Sequence, residues 1–332
     1  SDNSTSISDN STSTSDNSSS SPASCDDPYT GSGIFLAGGV NGQIIRSTNN
    51  GASWDNVTSD NSSYSIMGFA FGNNTLLAGG FHGHDSSKGL LMLSTDNFST
   101  WDNVSTVYNI SNPIFACGSF YVGGGTGLFP NDSNHFLRST DNGSTFNSLL
   151  NTGGINADIV YGNNTFVVAG LMGKNHISQD GGSTWDNLTM ATSSTVGALA
   201  FGDNTFVSAT ITSFNPLFYT TISRSVDNGS SWDNVTFGWN TSYSFALQDI
   251  TFGNGVFVAV GDNGTIIRST DAGASWDNVT SISRDTMNAV GFGNNTFIAV
   301  GNQGRIIRST DNGTSWDNVT SPVATHLNRI NF

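Results

Sequence analysis

Short apolar runs rich in valine, isoleucine and phenylalanine alternate along the chain with turns of glycine, asparagine and aspartate. The fullest stretch, LQDITFGNGVFVAVGDNGTIIRSTDAGASWDNVT at residues 247–280, contains four such runs, at 249–252, 256–260, 265–269 and 275–280. β-Branched and aromatic residues favour strands, and the turn residues between them favour antiparallel connections. The pattern therefore predicts four short strands per repeat, called a to d from here on, in an up-and-down sheet.

A second pattern, Ser-x-Asp-x-Gly-x-x-Trp, marks the turn between strands c and d. Successive copies are 39 to 47 residues apart, and they begin at Ser47, Ser94, Ser139, Ser178, Ser225, Ser269 and Ser309. That period is the length of one four-stranded propeller blade. We expect the Asp271 carboxylate to accept backbone N–H bonds of its turn and Gly273 to adopt a positive φ. Trp276 offers a large surface to bury between blades.

The repeat resembles the Asp-box, or bacterial neuraminidase repeat, over residues 31–332. This repeat is found in sialidases, sortilin-type receptors, xyloglucan hydrolases and photosystem II assembly factors. The resemblance implies a β-propeller whose turns are supported by the motif aspartates, here Asp96, Asp141, Asp180, Asp227, Asp271 and Asp311. Three copies depart from the motif, because Asn49 replaces Asp, Phe98 replaces Gly and Phe146 replaces Trp. We expect those three turns to be less regular.

Counting strands predicts an all-β protein, a seven-bladed β-propeller of four-stranded blades. The first repeat, at residues 34–58, has strands b, c and d but no strand a, and the chain ends in HLNRINF, which matches DTMNAVGF of the preceding repeat. We expect the C-terminal strand, residues 327–332, to complete this N-terminal blade, because ring closure removes exposed edges. Pairing of the strand with a neighbouring subunit is the alternative.

Residues 1–30 differ from the propeller at 31–332. They begin with three heptads, SDNSTSI, SDNSTST and SDNSSSS, which offer too little apolar surface to form a core. Seven-residue spacing without apolar a and d positions argues against a coiled coil. We expect a glycosylated tail that is extended or disordered in isolation and links or docks to a neighbour.

Charge and cysteine content narrow the function further. The net charge is −15, all 25 acidic residues are Asp, and ten basic residues provide no footprint for nucleic acid. No apolar run is long enough for a transmembrane helix, and a start at Ser1 suits a mature exported form.

Cys25 and Cys117 fit one disulfide in an oxidising environment. Cys117 lies in the a–b turn region of blade 3, where we align it with glycine of other blades.

Asn-x-Ser/Thr sequons occur 21 times. Six lie on strand d in WDNVT or a close variant, at Asn56, Asn103, Asn187, Asn234, Asn278 and Asn318. The others are in a–b turns (Asn73, Asn163, Asn294), Asp-box turns (Asn97, Asn142, Asn228, Asn312), the tail (Asn3, Asn10, Asn17) and elsewhere (Asn61, Asn109, Asn131, Asn240, Asn263). This placement predicts a secreted glycoprotein with glycans on the rim and the a–b face. The alternative is that Asn-rich turns create sequons incidentally and repeats copy them.

Candidate catalytic residues are few. Sialidase-type hydrolysis uses a Tyr nucleophile assisted by Glu, and the chain has no Glu. A glycosidase carboxylate pair could come from Asp158 and Asp249, near the starts of strands a, although polar residues there also solvate the channel entrance. We expect no catalytic residue, no metal site and no cofactor.

Five arginines precede the motif serine on strand c: Arg46, Arg138, Arg224, Arg268 and Arg308. A residue repeated around the ring usually belongs to the scaffold, and an anion-binding array is the alternative.

The b–c connections differ most between blades, and variable loops often carry function. Blade 2 has His82, His84 and Asp85, which are residue types that bind metal ions. A His-x-His pair on a loop is a weak signal for a metal site unless a third ligand has a defined position. The blade 5 loop, residues 210–221, carries Phe214, Leu217, Phe218 and Tyr219. We expect these four residues to contact a partner or another copy, with packing on the propeller's own top face as the alternative.

Three classes of function remain. We favour a non-enzymatic, densely N-glycosylated extracellular or cell-surface structural protein. It would self-assemble as a coat or filament subunit, or contact neighbouring surface proteins, with the tail as linker. The alternative is a carbohydrate-binding or carbohydrate-cleaving Asp-box module. An assembly factor like those of photosystem II is disfavoured by the dense sequons. The fold alone chooses none of them.

Overall fold

The computed structural model describes residues 33–57, 61–83, 85–96, 100–104, 109–125, 135–151, 156–170, 173–190, 195–214, 217–235 and 246–332. Within these ranges, 28 strands form seven antiparallel sheets of four strands each. The predicted seven-bladed β-propeller is confirmed. The predicted tail at residues 1–30 lies outside the described residues, so its separation from the propeller stays a prediction. None of the helices in the described ranges is long and apolar enough to cross a membrane.

Each blade is a meander from the channel outward, and blade 1 takes its innermost strand from the C-terminus. Blade 1 consists of β28 (Leu327–Asn331), β1 (Phe35–Gly39), β2 (Ile44–Ser47) and β3 (Asp55–Asn56). Blades 2 and 3 consist of β4 (Tyr64–Gly72), β5 (Thr75–His82), β6 (Asp85–Ser94), β7 (Asp102–Val104), β8 (Asn109–Ala116), β9 (Ser119–Gly125), β10 (His135–Ser139) and β11 (Asn147–Asn151). Blades 4 and 5 consist of β12 (Asn156–Gly162), β13 (Thr165–Gly170), β14 (Asn175–Ser178), β15 (Asp186–Leu188), β16 (Thr195–Gly202), β17 (Thr205–Phe214), β18 (Leu217–Ser225) and β19 (Asp233–Val235). Blades 6 and 7 consist of β20 (Leu247–Gly253), β21 (Val256–Gly261), β22 (Ile266–Ser269), β23 (Asp277–Asn278), β24 (Met287–Gly293), β25 (Thr296–Gly301), β26 (Ile306–Ser309) and β27 (Asp317–Val319).

The two ends of the chain close the ring. β28 pairs antiparallel with β1, so that Leu36 lies opposite Asn331 and Ala37 opposite Ile330. The Ile330 side chain is 5% exposed and belongs to the apolar cluster between blades 7 and 1. The predicted closure by the C-terminal strand is confirmed, and the pairing is within one chain.

The motif tryptophans pack between blades, as predicted. Trp276 of blade 6 shares a buried cluster with Val207 of blade 5 and Phe257 of its own blade. Its indole Nε1 donates a hydrogen bond to the Gly273 carbonyl oxygen at 3.2 Å. The tryptophan therefore fills the wedge between two sheets without leaving its polar atom unpaired.

Glycines at the ends of strands a let neighbouring blades approach. A Cβ added at Gly253 would overlap the ring of Phe292 in the next blade, and one at Gly293 would overlap Phe332. The backbone of one blade therefore packs directly against an aromatic ring of the next.

The Asp-box turn is a closed set of short hydrogen bonds. In blade 5, the Asp227 carboxylate accepts bonds from the Ser225 hydroxyl at 2.7 Å and from the Ser231 backbone N–H at 2.9 Å. The Ser231 hydroxyl donates to the other oxygen. These donors, the Ser231 hydroxyl above all, lower the pKa of Asp227 to about 2. The motif serine also accepts a bond from Gly229 N–H at 2.9 Å, so the pattern specifies the turn atom by atom.

The expected irregularity of the departing copies is wrong for two of them. In blade 1, Asn49 Oδ1 accepts the Ser53 N–H at 2.9 Å while Asn49 Nδ2 donates to the Ser53 hydroxyl at 2.8 Å, so an amide completes the same turn with one bond reversed. In blade 3, the bonds to Asp141 persist although Phe146 replaces the tryptophan. Phe98 lies outside the described residues.

Candidate functional site

Strand a lines the channel, and a β-bulge near its start shifts the register against strand b. The shift lies between Asn156 and Asp158 in blade 4 and between Leu247 and Asp249 in blade 6. Bulges commonly re-aim side chains. Both candidate carboxylates directly follow the bulged residue.

The Asp158 carboxylate joins three blades. Its Oδ1 accepts a bond from the Ile159 backbone N–H at 2.9 Å and one from Asn112 Nδ2 of blade 3 at 3.0 Å. Its Oδ2 accepts a bond from the Leu199 backbone N–H of blade 5 at 2.6 Å. The side chain therefore acts as a staple across the inner edges of blades 3, 4 and 5.

Asp249 repeats this arrangement between blades 6 and 7. Its Oδ1 accepts from the Ile250 N–H at 3.0 Å and its Oδ2 from the Val290 N–H of the next blade at 2.9 Å. Arg329 of the closing strand completes the network, since its Nε donates to Asn112 Oδ1 at 2.9 Å. The positive charge of Arg329 thus acts on both carboxylates.

Burial raises the pKa of Asp158 to about 7, although Arg329 opposes this effect, and the charge of Asp249 raises the pKa further. Burial likewise raises the pKa of Asp249, again against the effect of Arg329. One carboxylate is therefore readily protonated near neutral pH, which is a property that glycosidase acids share. The gap beside Asp158, lined by Asn112 and Phe136, is too narrow for a water molecule. The bonds to backbone N–H groups support a structural role for both carboxylates.

The strand-c arginines contact neighbouring turns or their own blade. Arg224 Nη1 donates to the Ala272 carbonyl oxygen of the next Asp-box turn at 3.2 Å, and Arg308 Nε donates to the Asn50 carbonyl oxygen at 2.7 Å. Arg138 bonds the Ser119 hydroxyl and lies over the ring of Tyr121, 5.6 Å from its centroid. These contacts support the predicted scaffold role. Arg46 and Arg268 lie at the same position on their strands, and in each the Nε atom is buried with no hydrogen-bond partner among the described residues.

The six strand-d sequon asparagines form an exposed rim. All six side chains are exposed, namely those of Asn56, Asn103, Asn187, Asn234, Asn278 and Asn318. In blades 4 and 6 the middle sequon residues, Leu188 and Val279, are buried, while Thr189 and Thr280 are exposed. The sequon therefore follows the two-residue period of a strand, with Asn and Thr toward solvent.

The outermost strands that carry these sequons are only two or three residues long. Blade 3 differs, because β11 has five residues, NSLLN, and no sequon on that strand. Short edge strands discourage pairing with other chains, so β11 is the least protected outer edge in the described ring.

The asparagines in the turns differ from the rim asparagines in backbone conformation. Asn73, Asn163 and Asn294 occupy the first position of a–b turns with φ between 45° and 49°. Asn142, Asn228 and Asn312 occupy Asp-box turns with φ between 56° and 60°. Asn is the residue other than Gly that most readily adopts this conformation, so the fold itself favours Asn at these positions.

The remaining predicted sequons differ in their exposure, and several lie outside the described residues. Asn263 is exposed in a 3₁₀ turn, and Asn61 is half-buried. The side chain of Asn109 and the residues Asn3, Asn10, Asn17, Asn97, Asn131 and Asn240 lie outside the described part of the chain.

Cys117 takes the place of the first turn asparagine. It is the central residue of the turn between Ala116 and Ser119, with φ 49°, as Asn73 is in blade 2. The predicted alignment of Cys117 with glycine is therefore wrong by one residue, since Ala116 takes the place of that glycine. Cys25 lies outside the described residues, so the Cys25–Cys117 disulfide stays a prediction.

The blade 5 insertion is largely a hairpin and not a loop. β17 and β18 pair as far as Phe214 opposite Leu217. The structure does not describe the side chains of the four proposed contact residues, Phe214, Leu217, Phe218 and Tyr219. Their contact with a partner therefore stays a prediction.

The blade 2 insertion also extends a hairpin, with His82 opposite Asp85. The described residues contain no group of three His, Cys, Asp or Glu side chains that could hold a metal ion, and His84 lies outside them.

Comparisons with known proteins agree with this architecture. A family model described as photosynthesis system II assembly factor YCF48 matches residues 217–331. The structure of YCF48 bound to D1 peptide is 16% identical, covers 86% of this chain and 89% of its own, and has a TM-score of 0.62. YCF48 from Cyanidioschyzon merolae is 18% identical, with 82% and 90% covered and a TM-score of 0.61.

A glycoside hydrolase shares the fold as well. The GH74 xyloglucanase from Xanthomonas campestris is 14% identical, with 90% of this chain and 52% of that chain covered and a TM-score of 0.68. No match was found among curated proteins. Identities this low show the fold alone. In fold, the protein is an Asp-box, or BNR-type, β-propeller.

Sequence reasoning missed Arg329 and Asn112 as partners of the two aspartates. All four residues occupy the equivalent position of strand a in different blades. An alignment of the seven strands a would have revealed this position, because it holds Arg, Asn or Asp in four blades and Gly or Ala in the other three.

Proposed function

We propose that the protein is a non-enzymatic, N-glycosylated extracellular or cell-surface structural protein. It self-assembles or contacts neighbouring surface proteins, and residues 1–30 act as the linker. One observation carries the proposal: six of seven blades place a sequon asparagine, exposed, on the short outermost strand.

Backbone conformation gives no reason for asparagine on strand d. None of the six rim asparagines has a positive φ, and Asn is depleted in strands. A covalent glycan provides a reason, because it requires Asn and a hydroxyl residue two positions later on the same exposed face. In blade 4, Asn187 and Thr189 meet this requirement while Leu188 packs inward.

A glycan on strand d also solves a physical problem of the fold. Each blade ends in a strand whose outer backbone groups are unpaired within the sheet, and such edges recruit other chains. A bulky hydrophilic group beside the edge blocks that pairing. The extracellular location follows from the modification, which is typical of secreted proteins.

The channel supports the absence of enzymatic activity. Asp158 and Asp249, the candidate acid pair, accept backbone N–H bonds from two blades each. Moving either side chain toward a substrate would break interblade bonds. The role we assign to them is to hold the ring.

Intact mass of the native protein before and after N-glycosidase treatment tests the glycan. We expect a mass above the 34.8 kDa polypeptide that falls toward it on treatment. An unmodified chain would remove the basis of the proposal. Electron microscopy and sedimentation of the same material test assembly, and a chain that remains monomeric at all concentrations would contradict it.

Removing residues 1–24 tests the linker. The described ring begins at Gly33, so this variant should fold and lose association. Undiminished association of the shortened protein would exclude the tail as the linker. This test does not require every rim site to carry an N-glycan.

A further inference from the structure

On the Asp-box face, the a–b turn of one blade lies against the Asp-box turn of the next. Asn73 Nδ2 donates to Asn142 Oδ1 at 2.9 Å, which joins blade 2 to blade 3. Asn294 Nδ2 donates to Asn50 Oδ1 at 2.9 Å, which joins blade 7 to blade 1. These two pairs are equivalent contacts at two different joints of the ring.

The same joint recurs with small variations. Asn254 Nδ2 donates to Asn312 Oδ1 at 3.2 Å between blades 6 and 7. Between blades 4 and 5, Asn228 Nδ2 donates to the Thr165 hydroxyl at 2.6 Å, and Asn163 Nδ2 donates to Asn204 Oδ1 at 3.3 Å. Among the described residues, turn amides thus bridge four of the seven blade joints.

In four of these sequon residues the bridging atom is Nδ2, which is the atom that an N-glycan occupies: Asn73, Asn163, Asn228 and Asn294. A glycan there would replace one of the two Nδ2 hydrogens and would lie against the neighbouring turn. On the rim the bonding is opposite. Asn234 and Asn318 accept bonds through Oδ1, from the Ser223 hydroxyl at 2.8 Å and from Arg305 Nη1 at 3.1 Å.

We propose that these four turn asparagines are amide clasps between blades that stay unmodified, so that none of these four positions carries an N-glycan. The glycan half of this inference rests on the proposed function. It revises the expectation of glycans on the a–b face, because it leaves the a–b turns at Asn73, Asn163 and Asn294 without a glycan.

Glycopeptide mapping of the native protein tests this difference between the clasp sites and the rim sites. We expect occupancy at rim sites such as Asn187 and Asn278 and none at Asn73, Asn163, Asn228 or Asn294. Occupied clasp sites beside occupied rim sites would overturn this inference and leave the proposed function standing. An unmodified chain would overturn both.

A matched pair of variants tests the clasp without glycans, in the full chain produced by a host that does not N-glycosylate. Asn294→Asp removes the Nδ2 donor, and its backbone is tolerated because Asp203 occupies the same turn position in blade 5 with φ 45°. We expect the unfolding equilibrium constant to rise about 3- to 10-fold, the effect of one lost hydrogen bond. Asn278→Asp on the rim should leave it unchanged. Equal effects of the two substitutions would overturn the clasp.

Discussion

Ring closure by the last strand leads to a quantitative prediction for Ile330→Ala. Ile330 is 5% exposed and packs in one cluster with Phe35 of β1 and with Ala289 and Ile298 of blade 7. The substitution therefore leaves a cavity at the joint where the two chain ends meet, and nothing covalent holds that joint together.

The expected cost follows from cavity energetics. Truncation of a buried isoleucine to alanine costs about 2–5 kcal/mol, depending on how far the surrounding residues can collapse into the cavity. At roughly 2–3 °C per kcal/mol for a domain of this size, a loss of about 3 kcal/mol lowers Tm by about 6–9 °C. The matched control is Ile282→Ala, because Ile282 is 43% exposed and its truncation should stay within about 0.5 kcal/mol.

Thermal unfolding of both variants at several protein concentrations provides the assay. With closure inside one chain, Tm is independent of concentration and only Ile330→Ala shifts it. If the strand instead closed the ring of a neighbour, Tm would rise with concentration by mass action. Equal Tm values for the two variants would show that Ile330 is not packed as described.

Two further substitutions test the channel and the blade contacts. The folded pKa of Asp158, about 7, lies above its ordinary value of 3.8, so the folded state binds this proton more tightly, and stability falls as pH rises from about 4 to about 7. Asp158→Asn should flatten this slope in Tm measured against pH, and an unchanged slope would assign it to other groups. Gly253→Ala places a Cβ into the Phe292 ring and should cost about 1–3 kcal/mol in urea unfolding. Gly83→Ala, where the nearest atom is 3.6 Å away, is the control, and similar losses in both would contradict the close approach.

Much of the fold was readable from the sequence because it repeats. The period, the strand runs and the turn residues all describe one blade, and seven copies reinforce each inference. Even the last strand was identified by its likeness to strand a of blade 7. Its pairing partner, β1, followed from the strand that the first repeat lacks.

The hydrogen-bond network in the channel was not predictable by the same reasoning, because its residues differ from blade to blade. Asp158, Asn112 and Arg329 lie in different blades, and their contact depends on the bulge and on the ring geometry. Likewise, the substitution at Asn49 was expected to weaken its turn, since the pattern alone does not reveal that an amide can reverse one bond with Ser53.

The sequons show most clearly what could not be predicted from the sequence alone. In the sequence, Asn294 and Asn278 are equivalent matches to one short motif. In the structure, both side chains are exposed, but Asn294 has a positive φ and donates to the next blade, while Asn278 lies on an extended edge strand. Only three-dimensional contacts separate a residue that the fold requires from one that it leaves open to modification.

The five-residue outer strand β11 limits how such rings combine. With the proposed glycans on the other six outer strands, β11 is the one described outer edge left for strand pairing. Two copies can join edge to edge around a twofold axis, and such a dimer is closed to further growth. A filament or a lattice therefore needs a second, different contact, for which the Asp-box face, the blade 5 insertion at residues 210–221 and the N-terminal segment are the candidates.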